Sequence, residues 1–261
     1  MPADRKIPGS QAPAIRLNKW LADTGVCSRR EADAWISAGR VRVNDGLPAA
    51  LGDKIHPAVD RVFVDGALLA TDAASAVART YWAFHKPLGV VTTRRDERDR
   101  RTIYDCLPPE CQDCDPAGRL DRQSSGLLIL SNDGDFIYRL THPRFHVEKQ
   151  YRVTFDRAVP SDLAVLFRQG VPLAPEGRLA RAERAERLGP DTLALTLVTG
   201  YNRQIRRMAQ ALGYNVAALK RVAVGPVKLG ALATGDVRAL SRQEVQRLQK
   251  AFQAVQKPSQ A

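Results

Sequence analysis

The sequence predicts an α+β fold in two parts: a small N-terminal helix-turn-helix/strand module, then a larger domain built on a mixed, mostly antiparallel sheet with a central cleft. Three observations predict it. Short alternating or continuous apolar segments outnumber segments of helical periodicity, so strands dominate helices. Sixteen prolines and eighteen glycines punctuate those segments with turns. The 261 residues, 44% of them hydrophobic, are enough for two separate cores.

Residues 1–13 carry charges and prolines but no apolar core of the signal-peptide kind, and read as a disordered tail on a cytoplasmic protein. Residues 14–66 read as a self-contained module. Ile15, Leu17, Trp20 and Leu21 suit a short helix closed by Gly25. Ser28 opens a second helix, with Glu31 completing a capping box, Ala32, Trp35 and Ile36 as the buried face and Gly39 as the stop. Arg40 to Val43 and Arg61 to Val64 alternate as strands, turned by Asn44-Asp45-Gly46 and Asp65-Gly66. Residues 67–79 are small and weakly patterned, a linker.

The second domain spans 80–250, followed by a flexible tail at 251–261. It starts with a strand from Thr80 that Pro87 stops, a turn and a further strand over residues 88–93, and a charged loop from Arg94 to Arg101 with five arginines among eight residues. Such a run is ordinarily a solvated loop, and in a nucleic-acid-binding protein also suits a phosphate clamp. Leu127 to Ser131 is a buried strand, residues 135–140 a short helix, and residues 150–155 a strand with Lys149 and Tyr151 on one face. Residues 160–190 read as an insertion with a helix at 161–169, and Leu193 to Val198 as another buried strand.

The net charge of +12 and a pI near 10 point to a polyanionic partner, nucleic acid first and an acidic membrane surface second. No apolar run approaches the ~20 residues that span a bilayer. The charge is uneven. Residues 14–66 hold eight basic and seven acidic residues, whereas 201–250 hold ten and two. Cys27, Cys106, Cys111 and Cys114 are too few and too irregular for a disulfide framework. The C-x4-C-x2-C spacing of the last three lacks an evident fourth ligand, though Cys27, His142 or His146 would be available; the expectation is reduced thiols in a surface loop and no metal.

Two stretches carry candidate chemistry. Gly118 to Gly126 is a turn-forming segment that sets one carboxylate, Asp121, between Arg119 and Arg122 and leads directly into a buried strand. A buried strand fixes the loop before it, as a catalytic group requires; a turn-capping Asp is the plainer reading. Gly200 to Gly213 places Ile205, Met208, Ala209 and Leu212 on one helical stripe, with Arg203, Arg206 and Arg207 clustered near its start. Cations at a helix N-terminus are electrostatically wasteful unless anions are held there.

In the N-terminal module, Ser28-Arg29-Arg30-Glu31-Ala32 and Gly39-Arg40-Val41-Arg42-Val43-Asn44 resemble the S4-like RNA-binding domain. Lys19, Arg29, Arg30, Arg40 and Arg42 would there contact phosphates rather than read bases. Gly118 to Gly134, Lys149-Gln150-Tyr151, Asn202 to Met208 and Leu219 to Pro226, in that order after the S4-like module, resemble the Rsu-type family of ribosomal RNA pseudouridine synthases over roughly residues 14 to 245. Tyr201, where a basic residue is common, and the cysteine-bearing loop depart from the pattern.

That resemblance implies isomerisation of a uridine in a ribosomal RNA stem-loop by a monomer, with no metal, nucleotide or redox cofactor. Asp121 matches the aspartate of the Gly-Arg-Leu-Asp motif and would be nucleophile or base. Arg206 would be its cationic partner, lowering its pKa. Tyr151 would stack on the extruded base and reach a proton. Ile205 would pack against the ring and Arg119 fill the vacated stack. Lys149, Asn202, Arg203, Arg207, Lys220 and Arg221 would contact RNA. The motif wording leans toward large-subunit RNA, with small-subunit RNA open. A non-catalytic RNA-binding or ribosome-assembly factor is a rival that Asp121 argues against, and a metal-dependent nuclease one that predicts absent carboxylate or histidine clusters.

Overall fold

In the computed structural model the described residues are 13–69 and 78–254. They form two units divided between Arg79 and Thr80. The expected N-terminal tail, apart from Pro13, lies outside the described residues, as does most of the expected linker.

The first unit contains β1 (Ile15–Arg16), α1 (Leu17–Asp23), α2 (Arg29–Ser37), β2 (Val41–Val43), β3 (Lys54–Ile55), β4 (Val62–Val64) and β5 (Ala67–Leu69). Ser28 and Glu31 form the capping box, each side chain accepting from the other's backbone N–H. Leu17, Leu21, Ala32, Ile36, Val41, Ile55 and Val62 make the core. β2, β4 and β5 form an antiparallel sheet. β5 corrects the linker's start: Asp65 and Gly66 adopt positive φ and fold the chain back, so Ala67 pairs with Val64.

The second unit contains β6 (Tyr81–Lys86), β7 (Asp115–Pro116), β8 (Ser125–Ser131), α3 (Gly134–Thr141), β9 (Lys149–Phe155), α4 (Leu163–Gln169), β10 (Val171–Leu173), β11 (Arg178–Ala180), β12 (Arg184–Arg187), β13 (Thr192–Leu197), α5 (Gln204–Ala211), β14 (Val216–Val224), β15 (Val227–Lys228), β16 (Val237–Ala239) and α6 (Arg242–Ala254). Its main sheet runs β12-β13-β9-β14-β8-β6-β16. Among these pairings only β14 with β8 is parallel, so the sheet is mixed and mostly antiparallel.

Three expectations shift here. Residues 88–93 form no strand; Val91 makes a single bridge to Thr102. The insertion at 160–190 contributes β12 to the edge of the main sheet and folds β10 and β11 into a hairpin. α6 takes residues 251–254 out of the expected flexible tail and seats Phe252 against Phe136 and Phe145, and residues 255–261 lie outside the described residues.

Three apolar clusters fix the sheet. One packs α4, α5 and the hairpin against β9 and β13. A second packs α3 and α6 against β6 and β8. The third gathers Ile103, Leu107, Cys111, Cys114 and Leu120 under β6 and β8. Tyr151 of β9 touches both the first and the third, which sets it where two cores meet.

Candidate active site

The Asp121 loop connects β7 to β8, and Leu120, 5% exposed, anchors it in the third cluster. Its backbone is held at every carbonyl from 119 to 124. Arg221 Nη1 donates to Arg119 O (3.4 Å) and Thr92 Oγ1 to Leu120 O (2.8 Å). The Ser124 amide donates to Asp121 O (2.9 Å) and the Gly89 amide to Arg122 O (2.8 Å). Arg206 Nη2 donates to Gln123 O (2.7 Å) and Lys86 Nζ to Ser124 O (2.9 Å). Three cations therefore grip the main chain of one short loop, and charge-assisted hydrogen bonds are the strongest available for that purpose.

The loop borders a cleft of about 420 Å³. Asp121, Arg119, Lys149, Tyr151, Asn202, Arg203, Ile205 and Arg221 all line it, so the structure brings together most residues singled out from the sequence. Tyr151 lies across from Arg221 on β14 and Leu195 on β13. Alternation along β9 puts Lys149 on the same side. Ile205 reaches the cleft from the first turn of α5, whose stripe of Ile205, Met208 and Ala209 is buried as the spacing predicts. Asp121 itself is partly exposed.

Arg206 departs from expectation. No ion pair joins it to Asp121 among the described residues; its guanidinium donates instead to Val216 O (2.7 Å) and Gln123 O (2.7 Å). It still feels Asp121 through space: burial chiefly, then Arg203, lower its pKa, and Asp121 opposes them. Arg207 leaves the expected cluster as well, turning away to Ala174 O and the Glu176 carboxylate. The i, i+3, i+4 arginines thus serve three different surfaces. Lys220 and Arg221 also split: Arg221 is 3% exposed and donates to Leu127 O (2.7 Å), while Lys220 is half-buried on the other face.

In the first unit Arg29 and Arg30 are exposed at the start of α2. Lys19 pairs with Asp23 (2.6 Å), Arg40 with Asp65 (2.5 Å) while lying over Trp35, and Arg42 lies over Phe63. Cys111 and Cys114 are buried packing residues rather than surface thiols. Among the described residues no three His, Cys, Asp or Glu side chains gather as metal ligands.

Lys86 and Thr92 escaped the sequence reading. Lys86 is fully buried and also donates to Pro87 O. Burial pushes it down to about 8, Arg221 adds to that, and Asp121 and Cys106 oppose it. Lys149 falls to about 8 through burial and Arg221. The signal for Lys86 was a lysine closing an apolar strand immediately before proline, where a buried charge must find carbonyls or a carboxylate. Ser124 Oγ and Arg221 Nη2 are buried in residues of the cleft and have no partner among the described residues.

Residues 80–211 match the RNA pseudouridylate synthase family, and residues 15–46 match the S4 domain. The ribosomal large subunit pseudouridine synthase B of Bacillus subtilis (strain 168) is 37% identical, across 89% of this chain and 95% of its own. The dual-specificity RNA pseudouridine synthase RluF of Escherichia coli (strain K12) is 36% identical, across 89% of this chain and 77% of its own. A crystal structure of a pseudouridylate synthase superposes with a TM-score of 0.66 at 29% identity, covering 90% of this chain and 99% of that one. With an S4 domain ahead of a sheet whose cleft displays one aspartate on a braced loop, this chain belongs to the RNA pseudouridylate synthase family.

Proposed function

We propose that the protein isomerises one uridine of ribosomal RNA, in the large subunit, to pseudouridine, with Asp121 as the acting carboxylate. The observation that carries this reading is the bracing of the Asp121 loop. Six consecutive carbonyls are held, while the carboxylate at the cleft has no hydrogen-bond or ion-pair partner among the described residues. A structural aspartate would spend its oxygens on the fold, as Asp65, Asp96 and Asp133 do.

The reaction conserves atoms: the bond from base nitrogen to ribose breaks, the base turns, a bond from ribose to the base's carbon forms, and the proton that carbon gives up is matched by one taken up at the freed nitrogen. Asp121 acts as nucleophile or base on the extruded nucleotide. Lys86, Arg206 and Arg221 hold its loop by donating to the carbonyls of Ser124, Gln123 and Arg119. Tyr151 stacks on the turned base and offers its hydroxyl for the proton, and Ile205 closes the apolar side. Arg119 occupies the stack the uridine leaves, repaying part of the few kcal/mol that extrusion costs. Lys149, Asn202 and Arg203 meet phosphates, and the S4 domain grips the stem through Arg29 and Arg30. The reaction proceeds in a cytoplasmic monomer without metal, nucleotide or redox cofactor.

The experiment is pseudouridine mapping of ribosomal RNA from cells lacking the gene, paired with Asp121→Asn in vitro. One large-subunit site should vanish, and the variant should lose isomerisation while binding RNA as tightly or more tightly. Unchanged ribosomal RNA, or loss of binding in step with activity, overturns the reading.

A further inference from the structure

The β10–β11 hairpin is positioned to do more than cover α5. Val171, Leu173 and Ala180 point into the first apolar cluster. Arg178 lies opposite Leu173 in register and two residues before Ala180, so strand alternation sets it on the same α5-facing side. It sits at the hairpin's end, where the apolar cluster gives out. Its guanidinium lies 4.8 Å from the ring centroid of Tyr201, within cation–π range, and the residue itself is exposed. Tyr201 packs its other side on the cluster and lines the catalytic cleft.

The hairpin turn is secured separately. Arg207 of α5 donates to Ala174 O and to the Glu176 carboxylate, and the Gly177 amide donates to Leu173 O (2.8 Å). Glu176 also feels the charge of Arg178, but its stronger partner is Arg207. Arg178 therefore keeps its charge largely unspent, on a support fixed from two sides. Arg178 does not line the cleft itself; it reaches the rim through Tyr201, which does.

We infer that Arg178, held over the Tyr201 ring, is a substrate-binding residue at the lip of the cleft that receives an RNA phosphate next to the extruded uridine. The inference deepens the ribosomal RNA reading and rests on it. A guanidinium fixed against a ring loses less freedom on meeting a phosphate than a free one, and presents two parallel donors to it. The contribution is to ground-state RNA binding, so it appears in KM and not in the chemical step.

The test uses the full chain and a ribosomal RNA fragment, measuring isomerisation and, independently, binding of the same RNA across salt concentrations. Arg178→Gln should raise KM about tenfold with kcat within twofold, and lessen the salt slope of log affinity by about 0.7 to 0.9, one phosphate contact. Tyr201→Leu should reproduce both changes, Tyr201→Phe neither, and the Arg178→Gln/Tyr201→Leu double variant should be no worse than either single variant. An unchanged KM and salt slope for Arg178→Gln, a fall in kcat instead, or additive losses in the double variant overturns the inference. An inactive wild type that binds RNA with the full salt slope would sink the ribosomal RNA reading and leave the Arg178 contact measurable by binding alone.

Discussion

Gly126→Ala probes the link between sheet and site most sharply. Gly126 of β8 stands opposite Arg221 at the one parallel pairing of the sheet. A Cβ placed there would lie 2.2 Å from Arg221 O, 2.6 Å from its amide nitrogen and 2.9 Å from its carbonyl carbon. Heavy atoms prefer about 3.5 to 4.0 Å, so the two backbones must separate. The φ of +107° adds strain for any L-residue, about 1–3 kcal/mol. Forcing packed backbone apart adds about 1–3 kcal/mol more. The expected loss is thus about 2–6 kcal/mol from a stability of order 5–15 kcal/mol. Gly177→Ala is the control: it has φ +64° but nothing within 4 Å, and should lose only about 1–2 kcal/mol. Hydrogen exchange of the β8 and β14 amides reads the difference, at about 1.4 kcal/mol per tenfold in protection. Activity should fall as well, because Arg221 moves while its guanidinium holds Arg119 O and Leu127 O. A loss below about 1 kcal/mol, or one equal to that of Gly177→Ala, would refute the close-approach argument.

Three further predictions follow from the same contacts. Arg206→Gln should cut single-turnover isomerisation at least tenfold while RNA affinity stays within threefold, since the guanidinium braces Gln123 O and Val216 O; loss of affinity in proportion would make it a phosphate contact instead. Lys86 and Lys149, depressed to about 8 in the folded chain, are protonated at pH 8 to 10.5 only when unfolded, so urea-measured stability should rise with pH over that window. Over the same window KM for RNA should also rise as the cleft loses positive charge, and Lys149→Met should weaken both trends; flat profiles would contradict the burial of these lysines. Cys111→Ser should cost about 1–3 kcal/mol by burying a hydroxyl, and chelator treatment of the wild type should leave its activity unchanged; inactivation by chelator would revive a metal site.

Much of the fold was legible because its signals are local. The Ser28 and Glu31 capping box, the stripe of Ile205, Met208 and Ala209, and the alternation through Tyr151 each depend on residues within a few positions of one another. β12 and the hairpin were misread because edge strands with charged outward faces resemble loops, and their partners lie elsewhere in the chain. Residues 88–93 failed for another reason: their β-branched run suits a strand, but Gly89 and Thr92 are committed to the Asp121 loop rather than to a ladder.

Residue order alone pointed to the side chains that carry the chemistry: one aspartate in a glycine-bounded turn, a tyrosine two residues after a lysine, and an arginine-rich helix start. What each cation does emerges only once the chain is folded. Arg206 was expected to partner Asp121, and Arg207 and Arg221 to contact RNA, yet one braces a loop, one ties down a hairpin and one is buried beneath the cleft. A guanidinium's role depends on which acceptors lie within hydrogen-bond reach of it, and here those include backbone carbonyls 10 to 102 residues away in sequence.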